Sequence, residues 1–106
     1  MLNLTPHPIT LRTPQGDVTI APSGVVARVV TTETVVAKTF DHGVPVVERT
    51  FNDVVGLPDD GTQCLVSALV LSAVPGRVGV YAPDTGATAI RSADGQIVAV
   101  TRLVAA

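Results

Sequence analysis

The chain has 106 residues, a length that fits one domain built around one core. Hydrophobic residues make up 46% and charged residues 15%, a balance that supports a packed interior and argues against a disordered segment. Seven Lys and Arg against nine Asp and Glu leave a formal net charge of −2, and the cations are scattered, which disfavours a surface that tracks nucleic-acid phosphates.

The apolar content is aliphatic: 20 residues are Val and 13 are Thr, against no Trp, one Tyr and two Phe. Beta-branched side chains favour strands, and so few aromatics leave little material for stacking on nucleic-acid bases. In chain order, residues 9–13 and 17–21 alternate in a strand-like way around Thr13-Pro14-Gln15-Gly16 and predict a hairpin. Pro22-Ser23-Gly24 breaks the pattern before the Val- and Thr-rich run 25–40, expected as strand and bent or broken near Thr32 and Glu33. Asp41-His42-Gly43 is turn material, making residues 34–40 and 44–51 a second hairpin with Pro45 near a strand end or on an edge.

Residues 56–62 carry the strongest loop signal in the chain. Residues 63–66 then suit a buried strand, and 67–74 a short helix with Ser67 as N-cap and Pro75-Gly76 as its stop. A strand at 78–82, a turn at 83–86 and a C-terminal hairpin of 88–91 with 96–104, turned at Asp94-Gly95, complete the chain. The expected fold is a single mainly β domain over residues 1–106 with one short helix, a small barrel or a curled antiparallel sheet built from hairpins.

Several segments carry chemistry. In Thr5-Pro6-His7-Pro8 two prolines hold a histidine in extended backbone, which presents an imidazole at a fixed angle to a ligand or partner; a rigid crossover is the simpler reading. Arg77 follows the helix stop, while Arg91 and Arg102 lie on the C-terminal strands. If two of these share a face with His7, they suit a phosphate or carboxylate; otherwise each is a solvated arginine paired with Asp84, Asp94 or Glu48. Asp84-Thr85-Gly86 matches the triplet that aspartic proteases place in a turn, but one copy after Pro83 is explained by a turn alone. Asp84 and Thr85 still offer hydrogen bonds, and Tyr81 is the only tyrosine available to cover a ligand.

Other residues read blandly. Cys64 has no disulfide partner and, inside Cys64-Leu65-Val66, is expected as a buried small hydrophobe. His42, Asp59 and Asp60 are expected to be solvated, and neither histidine has metal-ligand spacing. No nucleophile elbow, phosphate loop or dinucleotide fingerprint occurs, so no cofactor and no metal are expected. The opening residues lack a signal-peptide pattern and no apolar run reaches about 18 residues, so a cytoplasmic protein without a membrane partner is expected.

Taken together, Asn3-Leu4-Thr5-Pro6-His7-Pro8-Ile9, Val66-Ser67-Ala68-Leu69-Val70 with Ala73-Val74-Pro75-Gly76-Arg77, and Val80-Tyr81-Ala82-Pro83-Asp84-Thr85-Gly86 resemble a family of small uncharacterised tailed-phage and prophage proteins. The likeness continues through Ile90-Arg91, Asp94-Gly95-Gln96-Ile97 and Arg102-Leu103. It implies a phage-type protein acting in the host bacterial cytoplasm. The function expected from it is non-enzymatic binding of a small anionic ligand, a sponge that sequesters a nucleotide-derived signal of host immunity. In that scheme Arg77, Arg91 and Arg102 hold phosphates, Thr5, His7, Ser67, Asp84 and Thr85 supply hydrogen bonds, and Tyr81 or aliphatic side chains cover a base. A homo-oligomer is expected, because so small a domain offers little concavity alone. The alternatives are a virion structural or assembly accessory protein and, third, a small hydrolase using His7, Asp84 and Ser67.

Overall fold

The computed structural model describes residues 1–37 and 42–106. Its centre is a four-stranded sheet whose order is β1 (Leu2–Asn3), β6 (Cys64–Leu65), β7 (Val80–Pro83), β10 (Leu103–Ala105). β1, β6 and β7 run parallel to their neighbours, and β10 returns antiparallel to β7. Three antiparallel ribbons surround this sheet: β2 (Ile9–Thr13) with β3 (Gly16–Ile20), β4 (Arg28–Ala37) with β5 (Val46–Val55), and β8 (Ile90–Arg91) with β9 (Ile97–Ala99). The fold is thus mainly β with one short helix, and among the described residues no sheet closes into a barrel.

The parallel core of the central sheet brings together strands far apart in sequence, with Asn3 in register with Leu65 and Leu65 in register with Tyr81. Register and alternation sort its side chains onto two faces. Cys64, Val66 and Val80 join Leu4, Ala27 and Val70 in an aliphatic cluster. Val70 comes from α1 (Ala68–Ala73), where the Ser67 hydroxyl accepts the Val70 N–H as an N-cap. Leu65, fully buried, points to the other side with Asn3. Burial raises the Cys64 thiol above its ordinary range, which keeps it protonated and inert, as expected of a core position.

Two departures from the expected elements have local causes. The irregularities of β4–β5 fall between Val29 and Thr31 and between Val35 and Ala37 rather than at Thr32 and Glu33, where the Glu33–Arg49 pair keeps the ladder regular. The expected strand 96–104 is split, because the Val100 N–H and C=O turn away to bond Thr10 and Arg12 of β2, and Leu103–Ala105 then pairs with β7. The outer part of the expected strand 34–40, with Asp41 of the turn after it, lies outside the described residues beyond Ala37.

The molecule measures 55 × 40 × 24 Å with a radius of gyration of 17.0 Å. A compact chain of this length would have a radius near 13 Å. The excess comes from β4–β5, two 10-residue strands that leave the core beyond Val29 and Val54 as a ribbon paired only with itself. Among the described residues, no helix is long and apolar enough to cross a membrane.

Candidate functional site

The opening segment is organised by a residue that carried no predicted role. The Asn3 side chain is 1% exposed, and its amide is fully engaged. Its Nδ2 donates to the carbonyls of His7 at 2.8 Å and Ile20 at 3.0 Å. Its Oδ1 accepts the Thr5 N–H at 3.0 Å and the Thr5 hydroxyl at 2.6 Å. The Thr5 oxygen also lies 3.1 Å from the His7 carbonyl, so both side chains converge on the backbone of His7. Ser23 N–H completes the joint by donating to the Asn3 carbonyl, and Ala27 N–H does the same to Leu4. This clamp, with prolines on both sides of His7, fixes where the imidazole stands without using the ring itself.

His7 edges a groove of about 490 Å³ lined by residues 7–10 and 97–100 together with Pro83 and Thr85. Two backbone bonds stitch its walls together: Val100 N–H to the Thr10 carbonyl at 2.9 Å and Arg12 N–H to the Val100 carbonyl at 2.8 Å. The lining is mostly aliphatic, with Pro8, Ile9, Ile97, Val98 and Val100 supplying the walls and His7, Thr10 and Thr85 the polar atoms. Its size lies in the range of small-molecule sites.

Two guanidinium groups are fixed beside Thr85. Arg91 donates to the carbonyls of Gly95 at 2.8 Å and Thr85 at 3.3 Å. The Nε of Arg102 donates to Asp84 Oδ2 at 2.5 Å, and Asp84 Oδ1 accepts the Gly86 N–H at 2.9 Å. The Gly86 N–H first, then Arg102, hold the Asp84 carboxyl below its ordinary range. The Asp84-Thr85-Gly86 triplet is therefore a carboxylate-braced turn that carries Thr85 to the groove.

Of the residues singled out in the sequence, His7 and Thr85 line this groove, Thr5 braces His7 from behind, and Asp84, Arg91 and Arg102 brace the Thr85 turn. Tyr81 shares a face of β7 with Pro83, about 7 Å further along the strand. Ser67 and Arg77 are engaged elsewhere, Ser67 in capping α1 and Arg77 in donating to the Pro58 carbonyl at 3.0 Å. Among the described residues, no hydrogen bond links His7, Asp84 and Ser67. No three His, Cys, Asp or Glu side chains among them gather into a metal-holding set.

The residues that sequence reasoning missed are Asn3 and the groove-lining strand residues 97–100. Asn3 had a usable signal, since Asn followed two residues later by Thr is turn chemistry in which the amide side chain bonds nearby backbone. Residues 97–100 had none, because an aliphatic strand does not encode which neighbour it faces. No protein-family model matches the chain, and no curated protein or solved structure does either.

Proposed function

We propose that this chain is a phage-encoded, non-enzymatic binding protein that holds a small anionic ligand in the groove beside His7 and Thr85, and that it serves in the host cytoplasm as a sponge for a nucleotide-derived immune signal. One observation carries this reading. His7 and Thr85, far apart in sequence, line one groove, and the turn that carries Thr85 is bonded by Arg91 and, through Asp84, by Arg102. The aliphatic walls suit the flat apolar body of a base, and His7, Thr10 and Thr85 suit its polar edges. Arg102 is 64% exposed and spends only its Nε on Asp84 among the described residues, so its terminal nitrogens are available to a phosphate. Equilibrium dialysis against AMP, ADP-ribose and a cyclic dinucleotide tests the reading. Retention of one of them, recovered unmodified and lost in the His7→Ala variant, is the expected outcome. Absence of retention for all three and for a small-molecule extract of infected cells would sink it, and recovery of an altered nucleotide would favour the hydrolase.

A second reading, a virion or assembly accessory protein, draws support from the β4–β5 arm, whose exposed apolar side chains suit contact between subunits. Its distinguishing result is the chain at fixed copy number in purified particles.

A further inference from the structure

We propose that the ligand's phosphate crosses the Val100 seam into a neighbouring hollow lined by Arg102 and Arg12, which makes Arg12 a ligand-binding residue and the preferred phosphate a singly charged diester. This rests on the reading of the His7 groove as the seat of the base. The hollow, of about 220 Å³, is lined by residues 11–14 and 100–103. Val100 borders both spaces, and its N–H and C=O bond Thr10 on the groove side and Arg12 on the hollow side.

The register shows that the two spaces run on from one another. Pro83 of the groove and Leu103 of the hollow stand opposite each other on β7 and β10, so their side chains share a face of that sheet. Thr10 of the groove and Arg12 of the hollow are two residues apart on β2, which puts them on one face about 7 Å apart, a step that a ribose bridges. The arginine left free for a phosphate, Arg102, lines the hollow and not the groove, so an anion that reaches it has left the groove at Val100.

The charges select the kind of phosphate. Arg12 is forked onto Asp17, Nε to Oδ1 at 2.7 Å and Nη2 to Oδ2 at 3.1 Å, which leaves Nη1. Arg102 gives only Nε to Asp84 and keeps both terminal nitrogens among the described residues. Each cation is thus matched by one carboxylate, and neither Asp17 nor Asp84 lines the hollow. The hollow therefore offers N–H donors with no net charge, between the aliphatic walls of Leu11, Pro14, Val100 and Leu103. Stripping water from a doubly charged monoester costs more there than from a singly charged diester, and no surplus cation offsets the difference.

Equilibrium dialysis of the full chain against adenosine, cyclic AMP and AMP, at neutral pH and fixed salt, tests this. Cyclic AMP should be held about tenfold or more tighter than adenosine, and AMP less tightly than cyclic AMP. Arg12→Gln should bring cyclic AMP down to the level of adenosine and leave adenosine unmoved. Asp17→Asn, which frees the same cation from its carboxylate, should tighten AMP instead. Both variants break one exposed pair, so opposite effects on binding separate contact with the phosphate from loss of the pair. Adenosine held with no gain from the diester, or an Arg12→Gln variant that binds cyclic AMP as the wild type does, or two variants weakened alike, would overturn this inference and leave the base groove standing. No retention of any of the three would overturn it together with the groove reading on which it rests.

Discussion

The groove body and the β4–β5 arm are made from the same Val- and Thr-rich composition, yet they are stabilised in opposite ways. In the body, short strands of two to five residues are tied by long-range bonds: Leu4 N–H to Leu65, Val66 N–H to Tyr81, Val100 N–H to Thr10. Val66, Val70, Val80 and Val100 are buried there, and Asn3, a buried polar side chain, has every partner it needs. In the arm, strands of ten residues are tied almost wholly to each other, and the valines face outward. Pairing alone therefore does not make a core. The body gains stability from what its strands bury, whereas the arm has a regular ladder and little burial beyond Val29 and Val54.

That contrast is sharpest at Asn3. Asn3→Asp keeps the size of the side chain but replaces the amide that donates to the His7 and Ile20 carbonyls with an acceptor, and should cost about 3 kcal/mol. Chemical denaturation would register this as a lower midpoint with an unchanged slope. Gly79→Ala comes next. Gly79 has φ +81° and a Cβ there would stand 2.9 Å from the Gly61 carbonyl oxygen, so about 2 kcal/mol of strain is expected by the same measurement.

Asp84 gives a pH-dependent effect. Its carboxyl is held below its ordinary value of 3.8 in the fold, so the folded chain takes up its proton later than the unfolded chain as pH falls. The stability it contributes is complete above the ordinary carboxylate range and is lost as pH drops through the lowered folded value. Asp84→Asn should flatten that acid limb in a pH series of thermal melts and, with the carboxylate's contribution gone, lower the melting temperature at neutral pH. The smallest effect belongs to the arm: Phe51→Ser, at a position 53% exposed, should shift unfolding stability by no more than about 0.5 kcal/mol. A large loss there would mean that the arm is packed after all.

Local chemistry in the sequence accounts for the hairpins and the helix. Thr13 to Gly16 and Asp94-Gly95 make turns where turn residues stand, and Ser67 caps the helix that Pro75-Gly76 ends. The parallel joining of β1, β6 and β7 was not legible, since pairing between residues 62 positions apart in one case and 16 in the other leaves no periodic mark on either strand. The site was legible in part for the same reason. The Thr5 to Pro8 segment announced itself through its prolines, and Thr85 through its turn, whereas the aliphatic wall that brings them together is assembled by tertiary contacts of residues 97–100. Arg77 and Ser67 stood beside the right motifs and are spent on backbone groups close to α1.

The most direct test of the groove as a ligand site is native mass spectrometry of the chain and of its His7→Ala variant after incubation with a small-molecule extract of phage-infected bacteria. The Asn3 clamp bonds the backbone of His7 and leaves its ring out, so the variant should fold as the wild type does. The wild type should then carry an added mass that dissociates as an unmodified nucleotide-type anion, and His7→Ala should fly without it. A wild type with no added mass, or a variant that retains the same mass equally well, would contradict the groove as the binding site.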